Sequence, residues 1–201
     1  DGLRAIDSFN LTMNGNNLDD HLGNGVVVEN TYGSVLSGNM IEESQGIAMI
    51  FDRDCYGITV SSNVIAHNFG GGVDLRDAWG FSVSANTFTI VENRSVTVGP
   101  NSGRISITGN NFSNSHIGGE TRRVEGEATG ILLDNTEGIT ITGNMFAGMH
   151  RQAIEQIGSI DHLVITGNVM MDGSRENPGE YPSVDLEGEA DVMESNSVEG
   201  Q

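Results

Sequence analysis

One unit recurs along the chain and decides what it can fold into. Its clearest copy is residues 138–146, Gly-Ile-Thr-Ile-Thr-Gly-Asn-Met-Phe. Apolar and polar residues alternate, a small residue and an Asn follow, and a large apolar residue comes two places later. The pattern returns at 11–18, 35–41, 58–65, 81–88, 105–112 and 163–170, with a faded copy at 191–198. The Asn positions are 16, 39, 63, 86, 110, 144, 168 and 196, separated by 23, 24, 23, 24, 34, 24 and 28 residues. A fixed period in this range marks a repeat architecture, in which each unit buries its apolar face against its neighbours.

Each repeat holds a second alternating stretch about ten residues after the Asn, at 25–28, 46–49, 72–75, 96–98, 130–133, 153–156 and 183–186. Period-two alternation argues for strands, and the Gly, Asn and Asp between them for turns. These strands are too short and too closely spaced for βαβ units, which need a crossover of about a dozen residues or more. A propeller blade needs a period of roughly 40. The remaining solution is an all-β parallel solenoid of about eight turns, each strand pairing with its equivalent one turn away. At roughly 4.8 Å per turn the rod is roughly 38 Å long. Alternation points Ile105, Ile107, Ile139 and Ile141 inward. The large residues after each Asn (Leu18, Ile41, Ile65, Phe88, Phe112, Phe146, Met170 and Val198) form an apolar stack. The Asn side chains stack as a ladder at a turn and satisfy buried polar groups there.

The units at 139–146, 105–112 and 58–65 resemble the right-handed parallel β-helix repeats of the pectate-lyase-like superfamily, and the likeness covers nearly the whole chain. It implies a right-handed β-helix and, as the leading expectation, a polysaccharide lyase or glycoside hydrolase that binds an extended polysaccharide or oligosaccharide across its strands. It also implies a secreted or periplasmic location. The superfamily includes non-catalytic members too, so a scaffold, surface or assembly module is the alternative, since fold alone does not choose an activity. The motif sets of polygalacturonase-like enzymes and of alginate epimerases do not occur here. Residues 1–201 are expected to be a single domain, cut from a longer chain without its end caps.

The net charge is −19, and all nine basic residues are Arg. Such a balance argues against nucleic acid and anionic membrane as partners. The one cysteine, Cys55, rules out an internal disulfide framework and is expected to be a buried small apolar residue.

Two groups of residues carry candidate chemistry. The first is the outward face of the second stretch, where the repeat aligns Val27, Ala48, Asp74, Thr97, Leu132, Glu155 and Asp185, then Glu29, Ile50, Arg76, Gly99, Asp134 and Glu187. Charge is densest at Asp74, Arg76 and Asp77, beside Asp52, Arg53 and Asp54 of the preceding turn. Carboxylates on adjacent turns, about 5 Å apart, suit a hard cation such as calcium or a coupled acid pair. Asp52 and Asp54 are the expected metal ligands. The resemblance implies Arg76 as the base, with Asp74 and Asp77 beside it.

The second group is an edge. Both long intervals insert after the Asn-bearing unit, so loops 113–129 and 171–182 flank the short turn 147–152. Counted from the ladder Asn, His67, His116 and His150 fall on this edge, with Arg94, Arg122, Arg123, Arg151 and Arg175. Loops around a short turn make a cleft in which His serves as acid or base and Arg clamps an anion. His150 is therefore expected to be catalytic, and His67, His116, Arg122, Arg123 and Arg151 to bind substrate. Trp79 is a candidate sugar platform.

Overall fold

The computed structural model describes residues 1–114, 128–174, 177 and 179–199. Each turn has three strands and so three faces. The first face stacks Leu3–Ile6, Val26–Glu29, Ile47–Asp52, Gly71–Leu75, Arg94–Val98, the starts of Thr129–Thr142 and Ile154–Thr166, and Val184–Leu186. The second runs from Thr12–Asn14 through Val35–Ser37, Thr59–Ser61, Ser82–Ser84 and Gly103–Thr108 to the ends of the same two long strands and Val192–Glu194. The third is a separate parallel sheet from Asn17–Asp19 to Ser197–Val198, one strand in each of eight turns.

The sequence expectation of two strands per turn thus becomes three. The Asn-bearing unit is bent at its Asn: residues before it pair on the second face and those after it on the third. The small residue preceding the Asn makes the bend. Gly15, Gly38, Ser62, Ala85, Gly109, Gly143, Gly167 and Ser195 all have φ between 54° and 68°. At Gly15, Gly38, Gly109 and Gly143 a Cβ would meet nothing within 4 Å. Glycine is favoured there for its conformation, since L-residues resist positive φ, and not for lack of room.

The ladder lies inside this bend. Asn39 donates its backbone N–H and its Nδ2 to Asn63 Oδ1 at 3.0 and 2.9 Å, and its other amide proton to Met13 O at 3.0 Å. The paired bonds repeat from Asn16 to Asn196 without a break. The apolar stack also forms: Ile41, Ile65, Phe88 and Phe112 are fully buried, Phe146 and Met170 nearly so. The Phe112 ring lies 4.7 Å from both Phe88 and Phe146, with planes tilted by 19° and 9°.

Two outward positions are corrected: Asp52, not Ile50, stands in the row of Glu29. Ile50, not Ala48, stands in the row of Val27 and Asp74. Ile50 is eleven residues after its ladder Asn, as Val27 and Asp74 are, whereas Ala48 is nine and fully buried. Matching the two glycines, Gly25 and Gly46, slips the alignment by two residues, and the ladder is the truer ruler.

Cys55 is fully buried at the corner between the first and second faces, its thiol donating to Asp52 O at 3.3 Å. Burial pushes its pKa up. Native protein is therefore expected to resist a thiol reagent that labels the chain in denaturant, as read by mass spectrometry; rapid native labelling would contradict this. Because the folded thiol holds its proton longer than the unfolded one, its contribution to stability is full below about pH 8.5 and declines as pH rises toward the folded value.

Candidate functional site

The first face changes character along the rod. Its central row begins with Arg4, passes Val27 and Ile50, both buried, and continues with Asp74, Thr97, Leu132, Glu155 and Asp185 in register. Glycines shape its edge. A Cβ on Gly72 would lie 2.2 Å from Ser95 O and 3.0 Å from the buried Phe88 ring, so no larger residue fits there. Gly71, Gly72, Asp74, Arg94 and Thr97 surround a small pocket of about 60 Å³.

The Arg94 guanidinium crosses two turns to donate to Glu155 Oε2 at 3.1 Å, and both side chains are roughly three-quarters covered. A charge-assisted bond in such a site is stronger than one in open solvent. On the next turn Asp185 pairs in register with Glu155 and accepts from Gln152 Nε2 at 3.1 Å. Two carboxylates thus stand on neighbouring strands about 4.8 Å apart, one held by an Arg and the other by an amide.

The other acidic group is differently engaged. Arg76 Nε donates to Asp74 Oδ2 at 2.8 Å along its own strand. Asp77 accepts from the Asp54 backbone N–H and Asp52 from the Arg53 backbone N–H, each at 2.8 Å. Those two carboxylates cap the corner. Glu29, only 4% exposed, takes Arg4 at 2.7 Å and Arg53 at 3.2 Å. Among the described residues, no group of three His, Cys, Asp or Glu is placed to hold a metal ion.

The edge between the third and first faces holds His67, His150 and Arg151, all half-buried. His67 and His150 are three turns apart, roughly 14 Å along the rod at ~4.8 Å per turn. His116, Arg122, Arg123 and Arg175 lie outside the described residues. Residues of the short turn, with 171–174 and 179–183, line a cavity of about 550 Å³ that includes Met149, Arg151, Met170, Ser174, Tyr181 and Glu199. The Arg151 guanidinium lies 5.3 Å from the Tyr181 ring centre. Desolvation, then the nearby Glu199 charge, raises the pKa of Asp172 on the cavity wall.

Trp79 is on a different corner, between the first and second faces, and is not brought together with His150. It ends a surface column that sequence reasoning missed: Phe9, Tyr32, Tyr56 and Trp79, one per turn. The signal was available, since each stands seven residues before its ladder Asn. The Arg94–Glu155 pair was missed for another reason. Its members are 61 residues and two turns apart, and only the reach of the Arg side chain joins them.

A family model described as "Right handed beta helix region" matches residues 1–112. No curated protein matches the chain in sequence. Among solved structures, a double mutant of the periplasmic alginate epimerase AlgG superposes with a TM-score of 0.81 at 17% identity, covering 98% of this chain and 47% of its own. The catalytic unit of a thermostable GH87 α-1,3-glucanase from Streptomyces thermodiastaticus gives 0.58 at 10% identity, with 97% and 44% covered. The Dettilon tailspike protein gives 0.57 at 13%, with 89% and 38% covered. The chain therefore spans less than half the length of these structures, and at such identities the likeness is one of fold. No helix among the described residues is long and apolar enough to cross a membrane.

Proposed function

The chain belongs to the right-handed β-helix family, and from that premise we propose that it acts on carbohydrate, as the β-helix of a polysaccharide lyase or glycoside hydrolase. An extended glycan would lie on the first face and cross its strands, passing Asp74, Thr97, Glu155 and Asp185 in turn. The observation that carries this is the half-buried Arg94–Glu155 pair with Asp185 beside it. The alginate epimerase and the glucanase are carbohydrate enzymes by name, which supports the substrate class. AlgG is periplasmic by name, which supports a secreted or periplasmic location.

Two chemistries suit these groups. In hydrolysis, one carboxylic acid protonates the glycosidic oxygen while the other carboxylate attacks the sugar or activates water. A pair that forms a covalent intermediate needs its carboxyls ~5–5.5 Å apart, and the strands that carry Glu155 and Asp185 are neighbours at ~4.8 Å. In elimination, an Arg neutralises a uronate carboxylate, a base removes the adjacent ring proton, and the glycosidic oxygen leaves as the double bond forms. Arg94 and Arg76 are the cations for that role, with His150 a further candidate base. Calcium held by Asp52 and Asp54 would require the Asp52 carboxylate to leave the Arg53 backbone N–H it caps.

The test is turnover of a polysaccharide panel, with products separated into unsaturated and saturated ends. Glu155→Gln keeps a hydrogen-bond acceptor for Arg94 and removes the charge, so turnover is expected to fall about 10²–10⁴-fold with the melting temperature little changed. Asp74→Asn, Arg76→Ala and His150→Ala sort the remaining candidates. Full activity in Glu155→Gln would overturn the assignment of the first face. Binding without products would favour the non-catalytic alternative, which the corner-capping roles of Asp52 and Asp77 also fit.

A further inference from the structure

The corner between the first and second faces presents one side chain per turn in a continuous column: Phe9, Tyr32, Tyr56, Trp79, Gly103, Glu137 and Asp161. Phe9, Tyr32 and Tyr56 are 64%, 37% and 45% exposed, yet they spend their faces on one another. Their centroids are 5.8 and 4.7 Å apart, with planes tilted by only 17° and 7°. Tyr32, stacked on both sides, offers solvent mainly its edge.

The column changes at Trp79. The next position is Gly103, where a Cβ would lie 2.9 Å from the indole Cζ3 and 2.7 Å from Glu137 O. The missing side chain lets the indole lean across the following turn. Arg104 sits 5.8 Å from the ring centre and does not line the space beyond it. That space is a groove of about 260 Å³ whose walls include Trp79, Asn101, Asn135, Glu137, Ser159 and Asp161. Its polar wall is held in place: Asn135 Oδ1 accepts from the Ser159 N–H at 3.1 Å, and Asn135 Nδ2 donates to Asp134 at 2.6 Å.

An indole opposed by amide, hydroxyl and carboxylate groups matches the two sides of a pyranose, an apolar C–H surface and a hydroxyl rim. We infer that this groove is a saccharide subsite for a neutral sugar unit, separate from the first face. Charge sets the class. Glu137 and Asp161 accept hydrogen bonds from hydroxyls and repel uronates or sulfated sugars, and among the described residues the cation beside the groove, Arg104, lies over the indole and outside the lining. The inference shares with the proposed function only the premise that the ligand is a glycan.

Trp79 is the only tryptophan in the chain, so intrinsic fluorescence reports on this groove directly. The whole chain is titrated with β-1,4-glucan, β-1,3-glucan and β-1,4-mannan hexasaccharides and with a hexagalacturonate. A saturable change in Trp79 emission is expected with at least one neutral hexasaccharide and none with the hexagalacturonate. Glu137→Ala removes an exposed acceptor and is expected to weaken the neutral ligand about tenfold. No response to any neutral sugar, saturation by the hexagalacturonate, or unchanged affinity in Glu137→Ala would each overturn the subsite. Glu155→Gln should leave the fluorescence titration unchanged. A response without turnover therefore keeps the subsite and sinks the first-face chemistry, while turnover without a response does the reverse.

Discussion

Asn110→Ala should cost a large share of the stability of the protein. The Asn110 amide oxygen accepts from Asn86 N at 2.9 Å and Asn86 Nδ2 at 3.0 Å, and its Nδ2 donates to Val83 O at 2.9 Å and Asn144 Oδ1 at 3.0 Å. Alanine orphans the backbone N–H and an amide proton of Asn86, beside a residue only 2% exposed. Each unsatisfied buried group costs about 1–3 kcal/mol, so the total is about 2–6 kcal/mol. A domain has only about 5–15 kcal/mol in hand. The measurement is urea unfolding followed by far-UV circular dichroism, with Asn16→Ala as the control. Asn16 is exposed at the end of the ladder, and its loss is expected to cost no more than about 1 kcal/mol. Equal costs at Asn16 and Asn110 would show that the ladder does not bear the stability assigned to it.

Phe112→Ala should cost about 3–5 kcal/mol, the range for a buried aromatic truncated in a core. The site cannot close over the gap. Its backbone spacing is fixed by parallel pairing to Thr87–Thr89 on one side and Met145–Ala147 on the other. The rings of Phe88 and Phe146 would face an empty layer instead of a ring 4.7 Å away. Phe112→Leu keeps much of the volume and should cost less than about half as much. A shift in urea midpoint at constant slope is the expected form of both effects. If Ala and Leu behaved alike, the stacked rings would be incidental to the packing.

Much of this fold can be read from the sequence because a solenoid converts spacing directly into position. Counting from the ladder Asn gives the turn number, the inward row at Ile105 and Ile139, and the loops' shared edge. The third face was not legible. Gly143 bends the chain from the second face to the third through one positive φ, with no inserted loop to mark a corner between Thr142 and Met145. The aromatic column was legible in principle, since Tyr32 and Tyr56 keep a fixed offset from Asn39 and Asn63. Attention to charge and to Trp79 alone passed over them. The site was the least legible part. Whether Asp77 faces solvent or caps Asp54 depends on the path of a single corner, and whether Arg94 meets Glu155 depends on side-chain reach. Neither leaves a periodic trace.

The ladder also has a direction. Every Asn from 16 to 168 gives its amide proton to the next turn, and every one from 39 to 196 takes one from the turn before, so the side-chain dipoles point the same way along the rod. Donors and acceptors in such a chain polarise one another, which strengthens each bond by about 10–30%. A unit in the middle is polarised from both sides and an end unit from one. The grip of each turn on its neighbours should therefore grow with the number of turns already aligned, so that a longer rod is more tightly bound per turn and exchanges its amide protons with water from the ends inward.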